Sequence, residues 1–433
     1  IKYFTRLFSV VALLCLPAPL RAQQRDIPFG TDSHIRYNPH NGKYSVWING
    51  KPVIQDACAW YNEKRQPDTL PAARSFTVTP LADELGRGKK FTITSLEDGM
   101  EKQQSFYVYQ GGSGFYTALS IRGKGAHARS MSPLADALLQ LPYEDTVRAL
   151  KVPYDNDAWV RYAVTDLAAT DFTSAEVTAV YNTVSNQGLV IGSVQHADWK
   201  TGIALKGAGN RAAQLSVIAG WTDSTGTRDY LPHGIVTVAD TLCLSPRILV
   251  LPAADWRKGM EQYAVANSLA EPRYIFNWTA AKPFGWNSWG SMQTRLTLNK
   301  AKSVVDFFAD SCKGFRNADQ TLYIDLDSYW DNLHTGGMTG DFSELEAFSR
   351  YCKKRGFKPG IYWAPFVDWG KTPRNVEGTH TSYAATWTRV NGKYRDIDGA
   401  RAMDPTHPAT QKRIAYLINR FKGAGFEMIK IDF

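Results

Sequence analysis

Four short segments in the last third of the chain combine carboxylate, amine and aromatic side chains. They are residues 284–289 (FGWNSW), 322–330 (LYIDLDSYW), 356–363 (GFKPGIYW) and 428–433 (MIKIDF). Carboxylates and lysine form hydrogen bonds with hydroxyl groups, and Trp or Tyr rings pack against apolar surfaces. This combination suits a sugar, which offers both hydroxyl groups and an apolar ring face.

Asp432, in the last of these segments, is the candidate nucleophile. Glycoside hydrolysis needs a pair of carboxylates at the bond that is cleaved. An Asp at the end of a strand is well placed for this role, because the strand determines its direction. Lys430 lies two residues earlier and therefore on the same side of the strand. We expect its ammonium group to bind a hydroxyl and to favour the ionised form of Asp432.

The elements that position these residues alternate between strand and helix. Strand patterns cover residues 284–289, 321–327, 358–364 and 427–433, and helical patterns cover 297–311 and begin again near Asp341 and Pro408. Alternation of this kind predicts a parallel sheet with helical cover. Polar and aromatic residues gather at the carboxyl ends of the strands, at Trp289, Asp327, Trp363 and Asp432. A (β/α)₈ barrel carries its active site at that end.

The number of repeating units bears on how much of a barrel is present. An eight-unit barrel takes about 250 residues, whereas the pattern from residue 282 to the end supplies only four units. We therefore expect residues 271–433 to form the N-terminal half of a (β/α)₈ barrel, and the chain to stop after the fourth strand.

The region before it, residues 25–270, has the pattern of a β-sandwich. Segments rich in β-branched and aromatic residues occupy 44–48, 91–96, 105–109, 115–121, 176–183, 189–194 and 234–238. Asn49-Gly50 closes the first of them and is a strong hairpin signal. Many short strands with polar turns predict a large sandwich. A helical pattern over 253–269, stopped by Glu271-Pro272, links the two domains.

Residues 1–22 have the features of a secretory signal peptide. Lys2 and Arg6 precede an apolar run over residues 7–16, and Ala22 offers a small residue for cleavage. A membrane anchor would need a longer run, and a lipoprotein at Cys15 would need a smaller residue than the leucine before it. We therefore predict a secreted or periplasmic protein.

Composition and charge argue against several other classes of protein. The net charge of +9 falls to +6 without the signal, and the basic residues are scattered, so nucleic-acid binding is not predicted. No other segment is apolar enough to span a membrane. The cysteines form no CxxC pair and have no paired His spacing, so no zinc site is predicted. No metal or organic cofactor is implied.

Taken together, the four segments resemble glycoside hydrolase clan D, the α-galactosidases, and family 36 more than family 27. The motifs cover residues 282–433, and the preceding β-domain also fits family 36. The resemblance implies that Asp432 is the nucleophile, that Lys430 and Asp327 bind sugar hydroxyls, and that Trp289 lines the pocket. Tyr362 corresponds to a pocket tyrosine of family 27. Trp363, which follows it, is a further candidate for packing against sugar.

Two departures from the family pattern affect the expected activity. The family has two adjacent Asp residues after the second strand, where this chain has Asp327-Ser328. Asp325 does not replace the missing carboxylate and is assigned to the fold or to another subsite. The family's acid/base Asp lies beyond the fourth strand, so we expect residues 1–433 alone to be inactive.

The expected function is retaining hydrolysis of terminal α-linked galactose from oligo- or polysaccharides. Ser328 leaves open a relative acting on another α-sugar, such as α-N-acetylgalactosamine, or transferring galactose. A non-catalytic glycan-binding protein on the same scaffold is the alternative outside enzymes. The expected partner is a carbohydrate substrate, and self-association into a homo-oligomer is left open.

Overall fold

The structure is a computed structural model, and the chain divides into two compact units, Ile1–Ile275 and Phe276–Phe433. It describes residues 24–62, 74–97, 99–142, 146–154, 161–209, 211–222, 236, 241–272, 274–333, 336–390 and 392–433. The signal peptide predicted over residues 1–22 therefore lies outside the described residues. So does the strand predicted over 234–238, except for Val236.

The first unit consists mostly of antiparallel strands. In chain order they are β1 (Arg25–Phe29), β2 (Ser33–Tyr37), β3 (Tyr44–Ile48), β4 (Lys51–Tyr61), β5 (Ser75–Asp83), β6 (Gly86–Glu97), β7 (Met100–Tyr109), β8 (Phe115–Arg122), β9 (Met131–Gln140), β10 (Val147–Lys151), β11 (Ala163–Asp166), β12 (Asp171–Ala175), β13 (Val177–Asn182), β14 (Gly188–Ser193), β15 (Thr201–Gly207), β16 (Ala212–Ala219), β17 (Leu242–Leu244) and β18 (Ile248–Ala253). One sheet has the order β1-β2-β3-β4-β9-β16-β15-β12. The other has the order β11-β10-β13-β14-β18-β8-β7-β6-β5, with β17 paired to β8.

The two sheets pack face to face, which confirms the sandwich. Tyr44 of the first sheet packs edge-on against Phe106 of the second, with ring centroids 5.0 Å apart. Phe29 and Phe115 make a similar contact across the sheets at 5.1 Å. All four side chains belong to one buried apolar cluster, as expected where alternate residues of each strand point inward.

Local signals in the first unit are confirmed at the Asn49-Gly50 turn and at the linking helix. Asn49 and Gly50 have φ angles of 49° and 72°, which a two-residue hairpin requires at both central positions. Helix α1 (Trp256–Ala270) begins after Asp255, whose carboxylate accepts a hydrogen bond from the Arg257 N–H. It ends at Glu271.

The second unit contains four parallel strands with helices between them. The elements are β19 (Gly285–Asn287), α2 (Leu298–Asp310), β20 (Tyr323–Leu326), α3 (Ser343–Lys354), β21 (Lys358–Trp363), β22 (Val367–Asp368), α4 (Tyr383–Thr386), β23 (Arg389–Val390), β24 (Lys393–Tyr394), β25 (Asp396–Ile397), β26 (Ala400–Ala402), α5 (Pro408–Gly423) and β27 (Met428–Ile431). The parallel sheet has the order β19-β20-β21-β27. Strands β22, β26 and β25 form a small antiparallel sheet, and β23 pairs with β24.

One face of the parallel sheet forms the core of this unit with the helices. Ile324, Leu326 and Ile361 on the strands are fully buried, in the same apolar cluster as Phe348 of α3 and Phe421 of α5. Because side chains alternate along a strand, the intervening residues of the same strands point to the opposite face. That second face carries the polar groups.

Helices in this unit begin at or close to the three predicted positions. Thr297 caps α2 by accepting a hydrogen bond from the Lys300 N–H, and Pro408 is the first residue of α5. The helix predicted to begin near Asp341 is α3, whose N-cap residue is Phe342, and Asp341 Oδ1 accepts a hydrogen bond from the Ser343 N–H at 2.9 Å. Phe342 is buried in the core of this unit.

Candidate functional site

The predicted polar residues converge on the sheet face away from the helices. Asn287 pairs with Asp325 in the register of β19 and β20, and Tyr362 pairs with Lys430 in that of β21 and β27. Asp327 follows β20 directly. Parallel strands present their carboxyl ends along one edge, which brings together residues that lie up to 143 positions apart in the chain.

Asp327 is the centre of a hydrogen-bond network that links three strands. Its Oδ2 accepts from Asn287 Nδ2 at 2.6 Å and from Lys430 Nζ at 2.7 Å. Its Oδ1 accepts from the Ser328 N–H at 2.7 Å, and its own N–H donates to Ser288 Oγ at 2.9 Å. The Asp327 side chain is only 3% exposed, and its ammonium partner is 39% exposed. The buried carboxylate is therefore compensated by a cation that still reaches solvent.

Asp325 is a second buried carboxyl group beside this network. Asn287 Nδ2 donates to its Oδ2 at 2.6 Å, while its Oδ1 is buried without a partner among the described residues. Burial raises the pKa of Asp325 to about 6, the Asn287 hydrogen bond opposes this, and the charge of Asp327 adds to it. A Cβ atom at Gly360 would lie 2.9 Å from Asp325 Oδ1, so the glycine makes room for this carboxyl group.

Asp432 lies beyond the end of β27 and is exposed. Its Oδ1 accepts a hydrogen bond from the Phe433 N–H at 3.2 Å. Burial raises the pKa of Tyr362 well above its usual range, and the negative charges of Asp432 and Asp327 raise it further. Lys430 Nζ lies 5.4 Å from the centre of the Tyr362 ring. Tyr362, Lys430, Asp327 and Asp432 therefore form one electrostatic group.

Trp289 borders this group, whereas Trp363 does not. The Trp289 N–H donates to Asn287 Oδ1 at 2.9 Å, and its indole ring is 41% exposed. Trp363 is 1% exposed and packs against Phe421, with ring centroids 6.0 Å apart. As the neighbour of Tyr362 on the same strand, it must point to the other face. The structure thus places nearly all of the Trp363 side chain in the helix-covered core.

Asn287 and Gly360 have structural roles in the site that sequence reasoning did not assign. Asn287 lies two residues before Trp289 and donates to both Asp325 and Asp327. The sequence showed that Asn287 belongs to one of the four segments. It did not show which carboxyl groups accept its hydrogen bonds, because both belong to a different segment. Gly360 lies two residues before Tyr362 and faces the same side, so the alternation of strand residues was the available signal.

The group combines carboxylate, ammonium and phenol side chains on one sheet face. Within the described residues, no three His, Cys, Asp or Glu side chains are arranged to hold a metal ion. In the same residues, no helix is both long and apolar enough to cross a membrane. A buried carboxylate paired with an ammonium group can bind hydroxyl groups, and an exposed carboxylate such as Asp432 can act as a nucleophile.

Comparisons with known proteins reveal similarity of fold rather than of sequence. No family model matches the chain, and no curated protein matches its sequence. A variant of the GH36 alpha-galactosidase AgaA from Geobacillus stearothermophilus, in complex with stachyose, matches with a TM-score of 0.50 and 11% identity, over 94% of this chain and 65% of that one. The alpha-galactosidase from Lactobacillus brevis matches with a TM-score of 0.51 and 12% identity, over 95% and 63%.

A beta-arabinopyranosidase also matches, with a TM-score of 0.54 and 13% identity, over 94% of this chain and 61% of that one. The chain therefore spans less than two thirds of the length of each of these proteins. At such low identity the likeness concerns the fold alone. In fold, this chain resembles the GH36 alpha-galactosidases.

Proposed function

We propose that this protein is a retaining glycoside hydrolase that releases terminal α-linked galactose. The observation that carries the proposal is the Lys430–Asp327 ion pair, whose atoms are 2.7 Å apart. Asp432 follows β27, the strand that carries Lys430, and lies two residues after that lysine. The fold likeness to alpha-galactosidases supports it. We further propose that the four parallel strands are the first half of a (β/α)₈ barrel, whose carboxyl end holds the site.

In this proposal the hydroxyl groups of the terminal sugar bind to Asp327 and Lys430. Asp327 is held by Asn287 and by the Ser328 N–H, so its direction is set before substrate arrives. The exposed ring of Trp289 covers the apolar face of the sugar, and Tyr362 lines the floor. Such preorganisation reduces the entropy lost on binding.

The reaction proceeds by two displacements at the anomeric carbon. Asp432 attacks this carbon and forms a covalent galactosyl ester, while the bond to the leaving oxygen breaks and that oxygen takes a proton from a second carboxylic acid. Water then attacks the same carbon and gives a proton to the second acid, which is now ionised. The ester bond breaks, which frees the sugar and regenerates the Asp432 carboxylate. The resemblance places the second acid beyond the fourth strand, so no residue described above is assigned to it.

The cellular location and partner follow from the same proposal. We propose that residues 1–22 direct export, which would place the enzyme outside the cytoplasm together with oligo- or polysaccharide substrates. The carbohydrate itself is the proposed partner. N-terminal sequencing of the secreted protein tests this, and a mature chain that keeps residues 1–22 would contradict it.

Activity of the full-length protein on a panel of nitrophenyl α-glycosides tests the proposed function. We expect release from the α-galactoside, with NMR detecting the α-anomer first. Asp432→Asn should lower kcat at least roughly 1,000-fold because the nucleophile is lost. Asp319→Asn is the matched control, since Asp319 precedes the amino end of β20 and should leave kcat unchanged. Failure to release nitrophenol from the galactoside would overturn the choice of galactose.

Ser328 favours a second candidate within the same class of enzymes. It replaces a carboxylate where a hydroxyl-binding acid is expected, so the sugar could differ from galactose at one hydroxyl or carry an acetamido group. Faster release from the α-N-acetylgalactosaminide in the same panel, or from a nitrophenyl β-arabinopyranoside added to it, would identify this case. Transfer of galactose to an added sugar would reveal a transferase, and binding without cleavage would indicate a glycan-binding protein.

A further inference from the structure

Two layers of side chains cross the polar face of the parallel sheet. The layer nearer the amino ends of the strands contains Asn287, Asp325, Gly360 and Met428, which are register partners on four adjacent strands. Residues paired in register on parallel strands point to the same face. This layer therefore combines an amide, a carboxyl group, a glycine and a thioether, and none of the four residues carries a positive charge.

The second layer, nearer the carboxyl ends, contains the charged groups that act on Asp325. Tyr362 pairs with Lys430 in this layer, and the Lys430 ammonium group lies 2.7 Å from Asp327 Oδ2. Burial is the main reason that the pKa of Asp325 is raised, the charge of Asp327 adds to this, and Lys430 opposes it. Asp432, beyond β27, acts on Tyr362. The ammonium group is thus bound to Asp327, and Asp325 shares it only at a distance.

Asn287 connects Asp325 to the residues that are proposed to bind the sugar. Its Nδ2 donates to Asp325 Oδ2 and to Asp327 Oδ2, both at 2.6 Å, and its Oδ1 accepts from the Trp289 N–H at 2.9 Å. A side-chain amide has two N–H donors, so both are in use. A change at Asp325 therefore reaches Asp327 and Trp289 through a single side chain.

The surroundings of Asp325 suit its neutral form. The residue is 3% exposed, and its Oδ1 is buried without a partner among the described residues. Gly360 brings the backbone of β21 against this oxygen, since a Cβ atom there would lie 2.9 Å away. A buried carboxylate with one unpartnered oxygen and no bound cation is costly, whereas a neutral acid avoids most of this cost. In the neutral form Asp325 still accepts from Asn287, and Lys430 compensates Asp327 alone.

We propose that Asp325 is a positioning residue that acts in its neutral form, and that through Asn287 it holds Asp327 and Trp289 in the arrangement that binds the sugar. The inference rests on the proposed glycosidase function and adds a proton-linked control of its sugar affinity. An ionised Asp325 places a second negative charge beside Asp327 and competes with it for the Asn287 amide and for Lys430. Sugar affinity should therefore fall when Asp325 loses its proton.

Calorimetric titration of the full-length protein with galactose at pH 5 and at pH 7 tests the proposal, because galactose itself does not titrate in this range. Burial raises the pKa of Asp325 to about 6, so roughly a tenth of the parent protein is neutral at pH 7, and Kd should rise about tenfold from pH 5 to pH 7. Asp325→Asn keeps an acceptor for Asn287 and cannot ionise, so its Kd should be equal at both pH values. Asp325→Ala removes the acceptor and should bind more weakly than Asp325→Asn at both.

Asp319→Asn is the matched control, because Asp319 precedes the amino end of β20 and lies outside both layers. It should keep the tenfold pH dependence of the parent, and the melting temperature of each variant verifies that it is folded. Three results would overturn the proposal: a parent Kd that is equal at both pH values, an Asp325→Asn variant that keeps the dependence of the parent, or an Asp325→Ala variant that binds as tightly as Asp325→Asn.

The fluorescence of Trp289 separates this proposal from the proposed function. If the parent protein binds no galactose at either pH, the choice of galactose fails. The difference in fluorescence between the parent and Trp289→Phe reports on Trp289 without any sugar. This signal should change with a midpoint near pH 6 in the parent and stay constant in the Asp325→Asn background. A signal that is constant in the parent as well would overturn the role of Asp325, whichever sugar binds.

Discussion

At the scale of single residues, Asp325 shows how burial controls a carboxyl group. It lies two residues from Asp327 and faces the same side, yet only Asp327 has an ammonium partner. Both carboxyl groups share the amide of Asn287. Burial without a paired cation raises the pKa of Asp325, and the negative charge of Asp327 raises it further.

The raised pKa of Asp325 predicts a pH-dependent stability. A folded pKa of about 6, above the ordinary value of 3.8, means that the folded state favours the protonated form. Its contribution is fully present below about pH 3.8 and is lost as pH rises through about 6. Asp325→Asn cannot ionise and should therefore raise the free energy of unfolding by about 2 kcal/mol at pH 7 and by almost nothing at pH 4. Urea unfolding at both pH values measures this.

Asp319→Asn serves as a control of opposite sign. The hydrogen bond from Thr321 lowers the pKa of Asp319, so its ionised form is favoured in the folded state. Its contribution is present above the ordinary pKa and is lost as pH falls. Removing this carboxylate should reduce stability at pH 7. An Asp325→Asn variant that gained the same stability at pH 4 as at pH 7 would contradict a raised pKa of Asp325 in the folded state.

At the scale of secondary structure elements, Lys430 and Asp327 connect strands that are not neighbours. The order β19-β20-β21-β27 places β21 between their strands, so the 2.7 Å contact spans it. The residue of β21 that lies opposite Lys430 is Tyr362. The contact therefore supports the sheet across its width and places an ammonium group beside Tyr362.

A double-mutant cycle on Lys430 and Asp327 measures this cross-strand contact. Lys430→Met leaves the buried Asp327 carboxylate without its cation and should cost about 2 kcal/mol, since the lysine is partly exposed and screened. Asp327→Asn in the same background should recover about 1 kcal/mol of that loss. Thermal unfolding of the four proteins gives the coupling free energy. A value near zero would mean that the contact does not stabilise the sheet.

At the scale of the whole molecule, two units have separate cores. The inter-sheet cluster of the sandwich and the helix-sheet cluster of the second unit share no residue. Around the boundary between Ile275 and Phe276, apolar side chains are exposed, with Tyr274 81% and Phe276 73% accessible. Separate cores allow each unit to resist unfolding by itself.

Limited proteolysis tests the separation of the units. Chymotrypsin cleaves after aromatic residues, and Tyr274, Phe276 and Trp278 are exposed. We expect first cleavage at one of these residues, with an N-terminal fragment that melts cooperatively. Mass spectrometry locates the cut, and calorimetry of the fragment follows its unfolding. A first cut outside residues 274–278, or a fragment without a cooperative transition, would contradict separate cores.

The sequence by itself determined the features that depend on near neighbours in the chain. The strand over Tyr44–Ile48, its Asn49-Gly50 turn and the first residue of α5 at Pro408 follow from backbone preferences of a few residues. Lys430 and Asp432 share a face because strand side chains alternate, and this requires no knowledge of the partner strands. The strand-rich pattern of the β-sandwich region and the alternation of strands and helices after it were predictable for the same reason.

Only the tertiary structure decided which residues meet across strands. Asn287 joins Asp325 and Asp327, and Lys430 reaches Asp327, because helix packing sets the order and register of four distant strands. Trp363 becomes a core residue because α5 covers its side of β21. The rings of Trp289 and Tyr329 lie nearly parallel, with centroids 6.1 Å apart, although the two residues follow different strands. These contacts arise between segments far apart in sequence, where local preferences carry no information.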